Sequence, residues 1–201
     1  WYNFRIRNTN PTNIGQKSWV KISYMGADSL PSNIPKNNCS CIGNSNVTLR
    51  YTYNDISANP LGNSIHQLIL NQHVTRIDTS NNLGEIFLLN LSSNVYNIKF
   101  NSTLGWGGVS AADALLISRA FANQLSLTSI QQVAADVNLS GTVNASDALL
   151  VSRRFTGLIS TFPAGDWAIH PSKFSAITGQ NQSLEIRVLN TGDLNRSRAH
   201  W

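Results

Sequence analysis

The sequence predicts a multi-domain, mainly β chain with a small α part: a β-sandwich, then a duplicated pair of loop–helix repeats, then a C-terminal strand. Three observations predict it. Short runs of alternating apolar and polar residues recur at regular spacing from Val47 to Phe100, which is the pattern of an antiparallel β-sandwich. Sliding the chain on itself by 34 residues aligns "GGVSAADALLISRAFANQL" (107–125) with "GTVNASDALLVSRRFTGLI" (141–159) at ten identical positions of nineteen. After that repeat the alternation returns in "SLEIRVLN" (183–190), a strand expected to rejoin a sheet.

Composition and charge narrow the function. At 201 residues the chain can bury one or two ordinary cores. Charged residues make up 12%, about half the usual share; 25 Asn and 24 Ser take their place, chemistry suited to turns and strand faces of an extracellular β-rich protein. The net charge of +5 is spread thinly, its densest groups being Arg153–Arg154 and Arg196 with Arg198. No face-wide basic patch forms, so no nucleic-acid partner is expected. No apolar run approaches membrane-spanning length. No signal peptide is visible, and a chain opening at Trp1 reads as a mature or excised segment. Cys39 and Cys41 stand too close for an easy mutual disulfide, and no Cys or His pair completes a zinc site with them.

Taken in order, residues 1–46 read as a β-hairpin and a linker closing a preceding module. Tyr2, Phe4 and Ile6 share one strand face, Val20, Ile22 and Tyr24 another, and residues 26–46 are rich in turn formers. Residues 47–101 carry the sandwich: "VTLRYTY", "SIHQLIL", "HVTRIDT", "EIFLLNL" and "NVYNIKF", separated by turns such as "NPLGN" and "NNLG". This rhythm, with the "NPL" turn and the spacing of Gly84, Phe87 and Tyr96, resembles the transthyretin-like, carboxypeptidase-regulatory-like domains of secreted bacterial proteins. Residues 102–166 hold the duplicated unit, and residues 167–201 the last strand with a partial "DxNxS" loop.

Each repeat opens with a polar loop and continues as a helix of about three turns. In the second, Ala148, Val151, Ser152 and Phe155 fall on one helical face. Its loop fits the twelve-position EF-hand template. Asp136, Asn138 and Ser140 stand at positions 1, 3 and 5, Gly141 makes the turn, and Thr142 offers its carbonyl. Asn144 acts through water at position 9, and Asp147 closes the loop at 12. Alternating oxygens curled about one point are what a hard cation needs, and the expected ligand is one calcium ion. The bland alternative is an Asx-rich turn capping a helix. In the first copy the equivalent positions 1, 3 and 5 are Ser102, Leu104 and Trp106. That loop is expected to lack metal, with Asp113 capping its helix and Trp106 packing across the pair. With two carboxylates, calcium affinity should fall near the roughly 0.1–1 mM of extracellular modules.

Asp in place of Glu at position 12, with the duplication, makes "DVNLSGTVNASDALLVSRRF" resemble a dockerin type I repeat. The flanking "WGGV", "FPAGDW" and "GDLNRS" are similar to dockerin-like modules of Bacteroidota surface proteins. That resemblance implies a secreted or cell-surface module that attaches to a cohesin-like protein partner. The family's contacting positions fall here on Ala111, Ala112, Ser118 and Arg119, and on Ala145, Ser146, Ser152 and Arg153. The family's usual Ser-Thr pair is absent from both sets. A third "DxNxS", at Asp193, is open to three readings: a plain turn, a decayed loop, or oxygens approaching another loop from outside.

Catalysis finds no footing. His66, His73, His170 and His200 are scattered, Glu85 and Glu185 sit in alternating strands, and no catalytic motif appears. The function expected is therefore non-catalytic, calcium-stabilised protein–protein attachment. The alternative is a structural repeat segment of a surface adhesin or self-assembling filament, whose partners are neighbouring copies. Third comes carbohydrate binding through Trp1, Trp19 and Trp201. Eight N-x-S/T sequons, and "DSL" at 28–30, which resembles a Bacteroidota O-glycosylation motif, leave room for an attached glycan.

Overall fold

The strand between Ser45 and Tyr53 (β1) buries Val47, Leu49, Tyr51 and Tyr53 and leaves Arg50 outside, as a two-residue period requires. It belongs to a computed structural model that describes residues 44–54 and 57–198. The hairpin expected in residues 1–24, the linker up to residue 43, Cys39, Cys41, "DSL", Trp1, Trp19, His200 and Trp201 lie outside the described residues. The chain continues through β2 (Ser64–Leu70), β3 (His73–Thr79), β4 (Glu85–Leu91) and β5 (Val95–Ser102). Three helices follow, α1 (Ala111–Phe121), α2 (Ser129–Ala135) and α3 (Ala145–Phe155). Then come β6 (Trp167–His170), β7 (Lys173–Ser175) and β8 (Asn181–Asn190). Among the described residues the protein is mainly β, with three helices, and each alternating run that falls there is a strand.

Two four-stranded sheets form, ordered β4-β1-β8-β6 and β3-β2-β5-β7. Their inner faces share one core in which Tyr51 meets Phe100 at 5.0 Å between ring centroids and Phe100 meets Trp167 at 5.8 Å. Gly84 makes the turn into β4 with φ of +73°, and a Cβ there would lie 2.4 Å from the Tyr51 carbonyl oxygen. Only glycine fits. One pairing departs from the antiparallel expectation: β1 and β8 run parallel, from Asn46 opposite Asn181 to Tyr53 opposite Val188. Parallel neighbours need a long crossover, and here the crossover contains all three helices of the described residues. The sheets thus draw strands from both sides of the helical segment.

The helices have their own core. Ile117 of α1 and Val151 of α3, equivalent in the repeat, are both fully buried, with Ala135, Val137, Phe162 and Leu194 around them. α1 packs on α3, while α2 packs on β6 and β8. α2 joins the two cores, because Ile130 and Ala134 enter the sandwich while Ala135 faces the helix pair. The α3 face is not the one expected. Phe155 is 51% exposed, and Arg154 takes its place inside. The Arg154 guanidinium lies 3.7 Å from the centre of the Trp106 ring and 4.5 Å from that of Phe162, and bonds Asp166 at 2.6 Å. Trp106 also donates to the Thr191 carbonyl. It reaches the partner repeat as expected, packing on the helix core and edge-on to Phe162 at 5.9 Å as well as holding the Arg154 cation.

Candidate metal loop and helix-pair face

The loop from Asp136 to Asp147 is drawn inward by its own amides. Ser140 N–H donates to Asp136 Oδ1 at 2.9 Å and to Asn138 Oδ1 at 2.8 Å, and Gly141 N–H donates to Asp136 Oδ2 at 2.8 Å. Ser140 Oγ stands 3.0 Å from the Thr142 carbonyl oxygen. Oxygens of Asp136, Asn138, Ser140 and Thr142 therefore gather around residue 140. Gly141 holds φ of +82°, the left-handed turn that position 6 requires. Asp147 is fully buried, its carboxylate accepting from the amides of Asn138 (3.3 Å) and Asn144 (2.9 Å). Asn144 is the N-cap of α3, its Oδ1 taking the Ser146 amide at 2.8 Å. Capping and loop closure are one structure here, so the two readings of the sequence are compatible.

The donor set suits a hard divalent ion. Burial raises the Asp147 carboxyl above its ordinary range, the facing Asp136 charge adds to this, and the amide donors oppose it. Two carboxylates close enough to repel, ringed by amide, hydroxyl and carbonyl oxygens, are what a calcium ion would relieve. No group of three Asp, Glu, His or Cys side chains that could hold a metal stands together among the described residues, so neutral oxygens would have to complete any shell.

The first copy lacks the matching first half. Ser102 ends β5 and its hydroxyl receives the Leu104 amide, Leu104 packs against the sandwich core, and Trp106 turns to Arg154. Asp113 does cap α1, accepting from Ser110 N and Oγ at 2.8 and 2.9 Å. It also accepts the amides of Leu194 and Asn195, both at 2.8 Å. The "DxNxS" segment thus comes to the first loop from outside, and only a pattern match at Asp193 hinted at it in the sequence.

The partner-facing positions are mostly open. Ala111, Ala112, Ser118 and Arg119 on α1 are exposed, as are Ala145, Ser146 and Arg153 on α3, while Ser152 is half-buried and bonds the Ala148 carbonyl. Beside them stand apolar pairs related by the repeat. Leu115 and Leu149 are 60% and 59% exposed, and Phe121 and Phe155 are 56% and 51% exposed.

Residues 107–156 match the family model of the dockerin type I domain. That match covers α1, α2, the 136–147 loop and α3, so this segment is dockerin-like. It begins at Gly107, after the positions where the first loop departs from the template. No curated protein matches the chain. Dockerin domains are calcium-binding protein–protein attachment modules of extracellular and cell-surface proteins, which supports a protein partner for this segment. No helix among the described residues is long and apolar enough to cross a membrane.

Proposed function

We propose that the chain is a non-catalytic, calcium-stabilised attachment module of a secreted or surface protein, docking a cohesin-like protein through the face shared by α1 and α3. The observation that carries this is the doubled set of exposed side chains. Leu115 with Leu149, Arg119 with Arg153 and Phe121 with Phe155 recur 34 residues apart on two helices packed together. Large apolar side chains left open beside forked cations suit a partner that buries the former and offers oxygens to the latter. Calcium in the 136–147 loop, held by Asp136, Asn138, Ser140, the Thr142 carbonyl and Asp147, with Asn144 through water, would neutralise the paired carboxylates and fix the start of α3. The sandwich, transthyretin-like in its strand rhythm, is the platform that presents the helices. Bacteroidota surface proteins remain the setting that the sequence resemblance favours.

The alternative is a structural segment of an adhesin or filament, in which the same face packs on a neighbouring copy. The exposed leucine and phenylalanine pairs favour a separate partner over packing within the chain. Light scattering and pull-down with cohesin domains, with and without calcium, test this. A monomer that captures the partner in calcium, and loses it on Arg119→Glu with Arg153→Glu while staying folded, is the expected result. Self-association abolished by that charge reversal would establish the alternative. No capture and no association would end both readings.

A further inference from the structure

The segment after β8 completes the first loop. Laid on the template, Asp193, Asn195 and Ser197 take positions 1, 3 and 5, Arg198 takes 6, Gly108 takes 7, Ser110 takes 9 and Asp113 takes 12. The two halves, 193–198 and 108–113, are far apart in the chain and meet at the break between positions 6 and 7.

Six links that shape the 136–147 loop have counterparts here. Ser197 N–H donates to Asp193 Oδ1 at 3.0 Å and Asn195 Oδ1 at 2.9 Å, as Ser140 does to Asp136 and Asn138. The Arg198 amide bonds the Asp193 carboxylate as Gly141 bonds Asp136. Ser197 Oγ lies 2.6 Å from the Gly108 carbonyl oxygen, as Ser140 Oγ lies by that of Thr142. Asn195 and Ser110 donate their amides to Asp113 as Asn138 and Asn144 donate to Asp147. Leu194 and Val137, at position 2 of each loop, enter the same core. Gly108, with φ of +82°, leaves the room: a Cβ there would meet Asp193 Oδ2 at 2.7 Å and Arg198 at 2.9 Å.

A loop of this shape could be a relic, so the donors decide. Asp113 and Asp193 are both fully buried and stand near enough for Asp113 to act on Asp193 by charge. The Tyr53 hydroxyl donates one hydrogen bond to Asp193 Oδ2 at 2.5 Å. Arg198 is near enough to feel Asp193, but its guanidinium bonds the Gly105 carbonyl and Asn190 Oδ1 and lies over Trp167. Two carboxylates, an amide, a hydroxyl and a carbonyl are the donor set of the other loop, residue type for residue type. The dockerin match, which runs from Gly107, takes in Gly108, Ser110 and Asp113 and none of residues 193–198. We propose that residues 193–198 and 108–113 form a second, split calcium site, giving two ions per chain. It rests on the reading that oxygen loops of this repeat hold calcium.

Calorimetric titration of the full chain with calcium alone, with native mass spectrometry for stoichiometry, tests it. Asn195 is exposed, so Asn195→Ala removes a position-3 oxygen without opening a core. Two ions are expected for the parent, with one site weakened at least tenfold in Asn195→Ala and the other unchanged. Asp136→Ala should keep one ion, and Asn195→Asp should tighten the split site. A parent that binds one ion and loses it in Asp136→Ala overturns the split site while the contiguous loop stands. One ion kept in Asp136→Ala but lost in Asn195→Ala upholds the split site and removes the contiguous one. A parent that binds none overturns both.

Discussion

Single residues carry more of this fold than their types announce. His66 is fully buried in β2, where the Tyr51 hydroxyl meets its Nδ1 at 3.0 Å, leaving Nε2 toward Asp78 at 3.7 Å. Desolvation lowers its pKa to about 4, Asp78 opposes this and Arg76 adds to it. A histidine held neutral stabilises the fold fully above its unfolded pKa of about 6.5, and that contribution drains as pH falls toward 4. We expect a loss of about 3 kcal/mol across that window, read from urea unfolding at stepped pH, and a flatter profile for His66→Gln. Arg154 is the second case. Its place between Trp106 and Phe162 with Asp166 on the guanidinium predicts that Arg154→Ala costs about 2–4 kcal/mol, whereas Arg153→Ala, one residue back and exposed, changes thermal stability by less than about 0.5 kcal/mol. Helical periodicity could not find Arg154. A cation reads as solvent-facing, and the rings that hold it come from other parts of the chain.

Elements follow the sequence where their signals are local. The alternating runs among the described residues are strands, and the loop–helix repeats open with capping residues where Ser110 and Asn144 stand. The candidate ligands of the second loop were legible because they are contiguous; the gathering of residues 193–198 onto α1 was legible only as one of three readings of the "DxNxS" pattern, because nothing local says which distant segment it meets. That gathering separates two kinds of cap. Ser110→Ala should cost only a cap, about 0.5–2 kcal/mol. Asp113→Ala should exceed about 2 kcal/mol without calcium, since it also strands the buried Leu194 amide and that of Asn195. Chemical denaturation of both variants in chelator checks the order.

At the scale of the molecule, the sandwich rhythm was readable, but the partner of β1 was not. Strand alternation says which residues face inward and nothing about which distant strand lies alongside. β8 lies between β1 and β6 in the middle of its sheet, so a fragment of residues 44–102 should lack cooperative melting and aggregate, while residues 41–201 melt as a unit in calorimetry. The parallel pairing of β1 with β8 also orders events in time. A ribosome or a secretion channel delivers β1 long before β8, and until then β1 has only β4 beside it and an open edge on its other side. Pairings so distant in sequence form slowly. The nascent sandwich must therefore wait, half-made and prone to sticking, until the helices have been delivered, and β8, once through, then locks β1 in.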